Sequence, residues 1–254
     1  MIRLMKADIY RLLRTKGFYI TMILVVAYAA MMVLSQSVGS VGVNIPDLVD
    51  ASTVQWNLKN AVQLTALSSS FLVYFLIGLF VIIFGYEFSQ RTYKNSLTSG
   101  QSRLSFVVSK YLIQLLFFVL ASILYFGGAS VVAAVKYGVG DTAMGTFIWE
   151  TLILSVSVSL VISIIFSLAS LILVSTNSTV LAAVFVVIYP IAIQIIAMVT
   201  KFEDLKYVDF FGLAQQLGIG ALSAKELLPY IGINVVIILF ALLGSTFVIR
   251  KKEL

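Results

Sequence analysis

The stretch "SFLVYFLIGLFVIIFGYEFSQRTYKNSLTSGQSR", Ser70 to Arg103, joins a long apolar run to the most charged interior segment of the chain. Glu87 is the first charge after more than twenty uncharged residues. A continuous apolar run of about 20 residues is long enough to cross a bilayer as a helix. The stretch therefore predicts a membrane-spanning helix that reaches the membrane surface near Glu87.

The rest of the chain has the same character. Of its 254 residues, 61% are hydrophobic and only 11% are charged, whereas soluble domains carry about 25% charged residues. The apolar runs are continuous, unlike the alternating segments of about ten residues that build membrane barrels. We expect an all-α, polytopic fold that forms a single transmembrane domain over residues 1–254. Its six predicted spans are roughly 18–35, 66–86, 105–135, 148–174, 179–199 and 228–249.

The basic residues predict the orientation of these spans. With both termini in the cytoplasm, twelve Lys and Arg residues lie on the inner side and five on the outer side, and every arginine is inner. The positive-inside rule favours this arrangement. We interpret the first run as a retained span, because it is long for a signal peptide and no clear cleavage site follows it. A cleaved signal peptide is the alternative.

The N-terminal segment, residues 1–17, has two faces on a helical wheel. An interfacial helix would turn its basic face toward anionic headgroups. An ordinary basic flank that only sets topology is the alternative. The apolar face holds Ile2, Met5, Ile9, Leu12 and Leu13, and the basic face holds Arg3, Lys6, Arg11 and Arg14.

Residues 201–228 are too apolar for a solvated loop. They predict short re-entrant helices before the last span, since irregular backbone at membrane depth must be covered by protein. The alternative is a simple loop, with Pro229 in the first turn of the last span. Pro190 predicts a kink in span five.

Several kinds of chemistry are disfavoured by what the sequence lacks. It has no Cys and no His, which removes thiolate and imidazole chemistry. No Gly-Lys dipeptide occurs, so the chain has no phosphate-binding loop of the usual form. No charged residue lies near the middle of a predicted span, which disfavours an intramembrane protease or a proton-coupled transporter. Sodium coupling through serines and carbonyls stays open. In a membrane protein, the net charge of +6 does not by itself indicate nucleic acid.

Polar residues recur on one face of span four. A mildly polar face of this kind can line a substrate path. The alternative is close helix packing, in which small side chains bond their hydroxyls to their own helix. The four residues are Ser155, Ser159, Ser163 and Ser167.

The segment 87–104 predicts a short cytoplasmic hairpin between spans two and three. The i to i+4 spacing of Glu87 and Arg91 favours a continued helix, and Gly100 among serines ends it. Span three resumes near Leu104 and is too long for the bilayer, so we expect Arg103 and Lys110 in its first turns to project into the cytoplasm. A loop that only reconnected two helices could be much shorter.

With this hairpin the chain resembles the permease subunits of bacterial ATP-binding-cassette (ABC) transporters of the type 2 exporter class. The matching residues are Glu87, Arg91, Thr92, Lys94, Leu97, Gly100, Ser102, Arg103 and Lys110. The resemblance implies a permease in a bacterial plasma membrane that is not itself an enzyme and holds no cofactor. A separate cytoplasmic ATPase dimer would hold ATP and Mg. A second permease chain, identical or a paralogue, would complete the path.

The resemblance also implies where the ATPase docks. The implied contacts are Glu87, Phe88, Arg91, Thr92, Lys94, Leu97, Gly100 and Arg103 in the hairpin, with a lesser contact at Asn177 in "STNST". The cargo would be amphiphilic, such as a membrane-active peptide or a peptide antibiotic, and lipids would be further partners. Two other functions stay open at this stage: a non-transporting scaffold or sensor, and an ion-coupled carrier.

Overall fold

A computed structural model describes residues 2–39, 56–140, 142–218, 220 and 224–252. Within these ranges the secondary structure is helical, with no strand. Six helices are long and apolar enough to cross a membrane, which confirms the all-α class and fits a multi-pass membrane protein. The helices are α1 Ile2–Leu13, α2 Lys16–Ser35, α3 Leu58–Leu67, α4 Ser70–Phe80, a π-helix Val81–Gly85, α5 Tyr86–Ser89, α6 Tyr93–Thr98, α7 Arg103–Tyr137, α8 Met144–Thr176, α9 Thr179–Thr200, a 3₁₀-helix Glu203–Tyr207, α10 Phe210–Gly218 and α11 Ala224–Lys251.

The spans follow the predicted order with shifted boundaries. Span two is Ser70–Ser89 and consists of α4, the π-helix and α5. It begins later than predicted, because a turn at Ser68 and Ser69 separates it from α3. Spans one, three, four and five are α2, α7, α8 and α9, and span six is Leu228–Lys251 within α11. Span three has 35 residues. A helix needs only about 20 residues to cross a bilayer.

Spans one to four form the core. In the most apolar part of span four 61% of the residues are buried, against 11% in span six. Three phenylalanines join the central spans: the ring of Phe166 lies 5.5 Å from Phe80 and 4.7 Å from Phe118. Aromatic rings bury much apolar surface and favour tilted contacts of this kind. Spans five and six therefore flank the core and expose most of their apolar side chains.

Contacts between distant residues define two ends of the bundle. At one end, which we call the hairpin end, Thr179 donates to the carbonyl of Gly85 at 3.1 Å and Lys252 donates to the carbonyl of Val174 at 2.7 Å. At the other, which we call the far end, Lys136 donates to the carbonyl of Leu34 at 2.7 Å. The connections between spans alternate between these two ends.

The far end carries two short buried helices. Helix α10 lies so close to α3 that a Cβ on Gly218 would clash with the Ala66 Cβ atom. Helix α3 is a finding that the sequence did not predict. The segment 201–228 contains the 3₁₀-helix and α10, and their re-entry into the membrane stays a prediction. Residues 219 and 221–223 of that segment lie outside the described residues. Helix α11 begins at Ala224, so Pro229 lies inside the helix instead of opening it.

Asp209 fixes α10 to span five. Its carboxylate accepts from the backbone N–H of Gly212 at 3.1 Å and from the Gln194 amide at 3.2 Å. Burial raises the pKa of Asp209, while these hydrogen bonds act in the opposite direction. Helix α9 continues through Pro190 to Thr200.

Candidate functional site

Helix α1 packs against spans two and three at the hairpin end. Asp8 and Leu12 face the bundle and are 4% and 1% exposed. Ile2 and Leu13, also on the predicted apolar face, are exposed. The helix therefore has a face toward protein in addition to the two faces that the sequence predicted.

Four charged side chains meet beneath α1. The Lys110 ammonium lies 2.7 and 2.8 Å from the carboxylate oxygens of Asp8 and 2.6 Å from Oε1 of Glu87. The Arg11 guanidinium lies 2.8 Å from the same Glu87 oxygen and 3.3 Å from Asp8. We call Asp8, Arg11, Glu87 and Lys110 the charge cluster. It joins α1, the end of span two and the start of span three.

The charge cluster balances two acids with two bases. The Lys110 side chain has no exposed surface, so its charge depends on these partners in place of water. Desolvating such charges costs several kcal/mol per ion, and close pairing offsets that cost. Removing one partner therefore leaves a buried uncompensated charge, which costs about 3 to 5 kcal/mol.

Arg11 also donates hydrogen bonds to backbone carbonyl groups of span two. The π-helix Val81–Gly85 interrupts the regular hydrogen-bond register of the span. Arg11 Nη2 donates to the carbonyl oxygens of Ile83 at 3.1 Å and Ile82 at 3.4 Å. Helix α1 thus supplies donors to the part of span two whose register changes.

The acid on α1 has a perturbed pKa. Burial raises the pKa of the Asp8 carboxyl, and the neighbouring Lys110 and Arg11 charges act against that rise. Burial disfavours the ionised form because the protein solvates charge less well than water does.

The hairpin is folded around an aromatic stack. The Phe88 ring lies 5.3 Å from Phe84 and 4.4 Å from Tyr93, nearly parallel to both. Phe84 in turn stacks on Phe80 at 6.3 Å. These four rings, the aromatic ladder, run from the interior of span two into α6. The hairpin is therefore packed continuously onto the transmembrane core.

This packing separates the predicted coupling residues into two groups. Glu87, Phe88 and Leu97 are buried, at 7%, 1% and 7% exposure, so their side chains hold the hairpin together. The solvent-facing group is Arg91, Thr92 and Gly100, with Lys94 and Arg103 partly exposed. Gly100 has a φ of +90°, which glycine adopts without strain, and it separates α6 from α7.

Two expectations about this segment are wrong. The helix does not continue from Glu87 to Arg91: α5 ends at Ser89, and Arg91 adopts a left-handed φ of 55°. Glu87 pairs with Arg11 and Lys110 instead. Lys110 does not project into solvent either, because the two buried acids draw it into the bundle. Arg11 pairs with Glu87, whereas Arg14 is exposed. The orientation of the basic face toward headgroups stays a prediction.

The loop with the lesser predicted contact lies beside the hairpin's base. Asn177 is exposed and ends α8 in a left-handed conformation with a φ of 55°. Two residues later Thr179 bonds to Gly85, as described above, and Gly85 is the last residue of the π-helix. The structure thus brings spans two, four and five together at the hairpin end.

The four serines on one face of span four are buried between helices. Ser155, Ser159, Ser163 and Ser167 are each at most 1% exposed. Ser155, Ser163 and Ser167 each donate to a carbonyl of their own helix at 2.7 Å. Ser163 also lies 3.0 Å from the Tyr111 hydroxyl of span three. This geometry is that of the packing alternative, and the substrate path stays a prediction.

The sequence left two members of the charge cluster without a role. Asp8 was counted only as an inner acid and Arg11 only as part of a basic face. A usable signal exists: Asp8 is the only acid among the first seventeen residues, and it stands three positions before Arg11, on a neighbouring part of the same helix face. Nothing in the sequence pairs them with residues 87 and 110.

The described residues contain no group of three or more His, Cys, Asp and Glu side chains that could hold a metal ion. A scan against models of protein families and a search of curated proteins both find no match to this chain. The function is therefore argued from the geometry of the described residues.

Proposed function

We propose that this chain is the transmembrane subunit of an ATP-driven exporter of the ABC type, with ATP hydrolysed on a separate cytoplasmic subunit. The observation that carries the proposal is the hairpin between spans two and three. It presents Arg91 and Thr92 to solvent on one side and is joined to the core by the aromatic ladder on the other. A partner that moves this tip would also move span two.

The charge cluster supports the same role. Two ion pairs of Glu87 tie the hairpin's base to Arg11 of α1 and to Lys110 of span three, and the Asp8–Lys110 pair joins α1 to span three. A push on the hairpin would therefore reach two spans and α1 together. In the proposal α1 lies in the inner membrane interface, with Arg14 toward headgroups and Ile2 toward lipid, and both termini are cytoplasmic.

A second permease chain, identical or a paralogue, completes the path. The cargo is amphiphilic, such as a membrane-active peptide, because the spans offer few charged groups that would compensate a strongly polar ligand. The short helices α3 and α10 would form the outer, re-entrant part of the permease.

A charge-reversal experiment tests the ATPase contact. The chain is purified with an affinity tag from the cells that make it, and ATP hydrolysis is measured per chain. Arg91→Glu with Lys94→Glu should abolish the co-purifying hydrolysis, because both side chains reach solvent at the hairpin tip. Lys201→Glu is the matched control, since Lys201 is exposed at the far end. Unchanged hydrolysis in the tip variant, with the chain folded and inserted, would show that the hairpin is not the contact.

The scaffold and carrier alternatives are separated by two further readouts. Hydrolysis that rises on addition of a membrane-active peptide favours a transporter, because a scaffold has no step that a cargo would accelerate. Transport that persists in ATP-free vesicles under an ion gradient would instead support an ion-coupled carrier.

A further inference from the structure

Three cavities meet at the far end around one residue. Phe147, near the start of span four, lines all three. One cavity, of about 440 Å³, is polar, and we call it the polar chamber. The other two have mainly apolar walls, although Lys59 and Glu150 also line the first, and they lie on different sides of span four.

The polar chamber offers both signs of charge. Lys59 and Glu150 both line it and both are exposed. No ion pair joins the two within the part of the chain that the structure describes. The remaining polar lining consists of neutral side chains that can donate or accept hydrogen bonds, Asn57, Asn60, Tyr137, Thr142 and Thr146.

The first apolar cavity runs along span four toward α10 and span six. It has a volume of about 330 Å³ and reaches from Phe147 to Ser157. Ser157 and Leu217 also line a further cavity of about 230 Å³, which continues to Ile164. At a rise of about 1.5 Å per residue, the stretch from Phe147 to Ile164 is about 26 Å long.

The second apolar cavity lies between spans three and four. It has a volume of about 300 Å³ and extends along span four as far as Ser155. Its walls include Ile123 and Val131 of span three. Both apolar cavities thus start beside Phe147 and follow span four in the same direction.

The chamber is at the level expected for headgroups. Trp149 is 65% exposed and immediately precedes Glu150. Tryptophan is enriched where the membrane meets water. The apolar cavities lead from this level along span four toward the hairpin end.

We propose that these cavities form a binding site for one zwitterionic phospholipid with two acyl chains. Its phosphate would face Lys59 and its ammonium group Glu150, and each apolar cavity would hold one chain. A zwitterion complements this cation and anion, which form no ion pair with any residue that the structure describes. An anionic lipid would meet the Glu150 carboxylate without compensation. Two cavities diverging from one polar chamber match two chains on one headgroup. The proposal does not depend on the exporter function.

Lipid retention tests this site. The purified chain is equilibrated with vesicles of equal phosphatidylethanolamine and phosphatidylglycerol, and the lipids that stay bound are counted by native mass spectrometry. One phosphatidylethanolamine should be retained in preference to phosphatidylglycerol. Lys59→Ala and Glu150→Ala should each lower its retention about tenfold, the effect of about 1.4 kcal/mol in binding. Lys201→Ala, an exposed lysine at the same end, should leave retention unchanged.

The chain cavities need a separate pair of variants. Ser157→Trp fills the first cavity and should reduce retention, whereas Val156→Trp places the same side chain on an exposed position, 41% accessible, and should not. Equal retention of both lipids, unaffected by the Lys59 and Glu150 variants, would show that the cavities bind bilayer lipid without specificity and would overturn the proposal. Equal retention of a single-chain lysophosphatidylethanolamine would overturn the two-chain site.

Discussion

At the scale of single residues, Lys110 has the most constrained environment of the described lysines. It lies near the start of span three with no exposed side-chain surface, and both of its acidic partners are more than twenty positions away in sequence. A lysine normally keeps its ammonium in water. Here the ammonium exchanges water for three carboxylate oxygens.

Replacing Lys110 tests whether the charge cluster stabilises the fold. Lys110→Met leaves Asp8 and Glu87 with Arg11 as their only cation in the charge cluster, so we expect the free energy of unfolding to fall by about 3 to 5 kcal/mol. The measurement is thermal or denaturant unfolding in detergent. Lys94→Met, a partly exposed lysine in the hairpin, is the control and should change little.

A second variant distinguishes pairing from packing in this prediction. Asp8→Asn with Lys110→Met removes one charge of each sign and leaves the Arg11–Glu87 pair at 2.8 Å. The double variant should be more stable than the sum of the two single changes indicates. Strict additivity would show that Asp8 and Lys110 are not coupled.

At the scale of elements, the contact between spans two and five depends on a glycine. Gly85 ends the π-helix, and a Cβ at this position would come within 2.6 Å of the Thr179 methyl carbon. Thr179 also bonds to the Gly85 carbonyl. Spans two and five can approach this closely at the hairpin end only because residue 85 lacks a side chain.

Gly85→Ala should therefore destabilise the chain by about 1 to 3 kcal/mol, the usual cost of overpacking. Adding Thr179→Ser should restore much of the loss, because serine lacks the methyl group but keeps the hydroxyl that donates to residue 85. Gly232→Ala is the control, since a Cβ there meets nothing within 4 Å. Thermal unfolding measures all three. If Thr179→Ser did not restore the stability of the Gly85→Ala variant, the contact with the Thr179 methyl group would not be the cause of the loss.

At the scale of the whole molecule, the spans alternate so that three features share the hairpin end: α1 with the charge cluster, the hairpin tip and the loop at Asn177. The far end holds α3, α10 and the polar chamber. In the proposed function the hairpin end faces the ATPase in the cytoplasm. The lipid site would lie near the opposite membrane surface.

Because the chain has no cysteine, single-cysteine labelling can test this orientation. A membrane-impermeant maleimide should label Thr92→Cys and Asn177→Cys in inside-out vesicles but not in intact cells. Thr146→Cys, exposed at the far end, should show the reverse. Labelling of Thr92→Cys in intact cells would place the hairpin outside and contradict the proposed ATPase contact.

The sequence by itself determined the helical class, six spans and the break in helix around Gly100. Each follows from local composition, because a long apolar run can satisfy its backbone in lipid only as a helix and glycine ends helices readily. The ion-pair partners of charged side chains and the burial of individual residues were less predictable. The i to i+4 rule assigned Glu87 to Arg91, but the left-handed turn at Arg91 breaks that helix.

Only the tertiary structure decided which charged side chains form ion pairs and that the serines of span four are buried between helices. Arg11 and Glu87 are 76 positions apart, and Asp8 and Lys110 are 102 apart. The energy of a buried ion pair depends on distance and on exclusion of water, and both are set by how α1 packs against spans two and three. The cavities around Phe147 likewise arise where four helices of different sequence position meet: α3, α7, α8 and α10. Local sequence specifies each helix, whereas the spaces and contacts between helices exist only once they have packed.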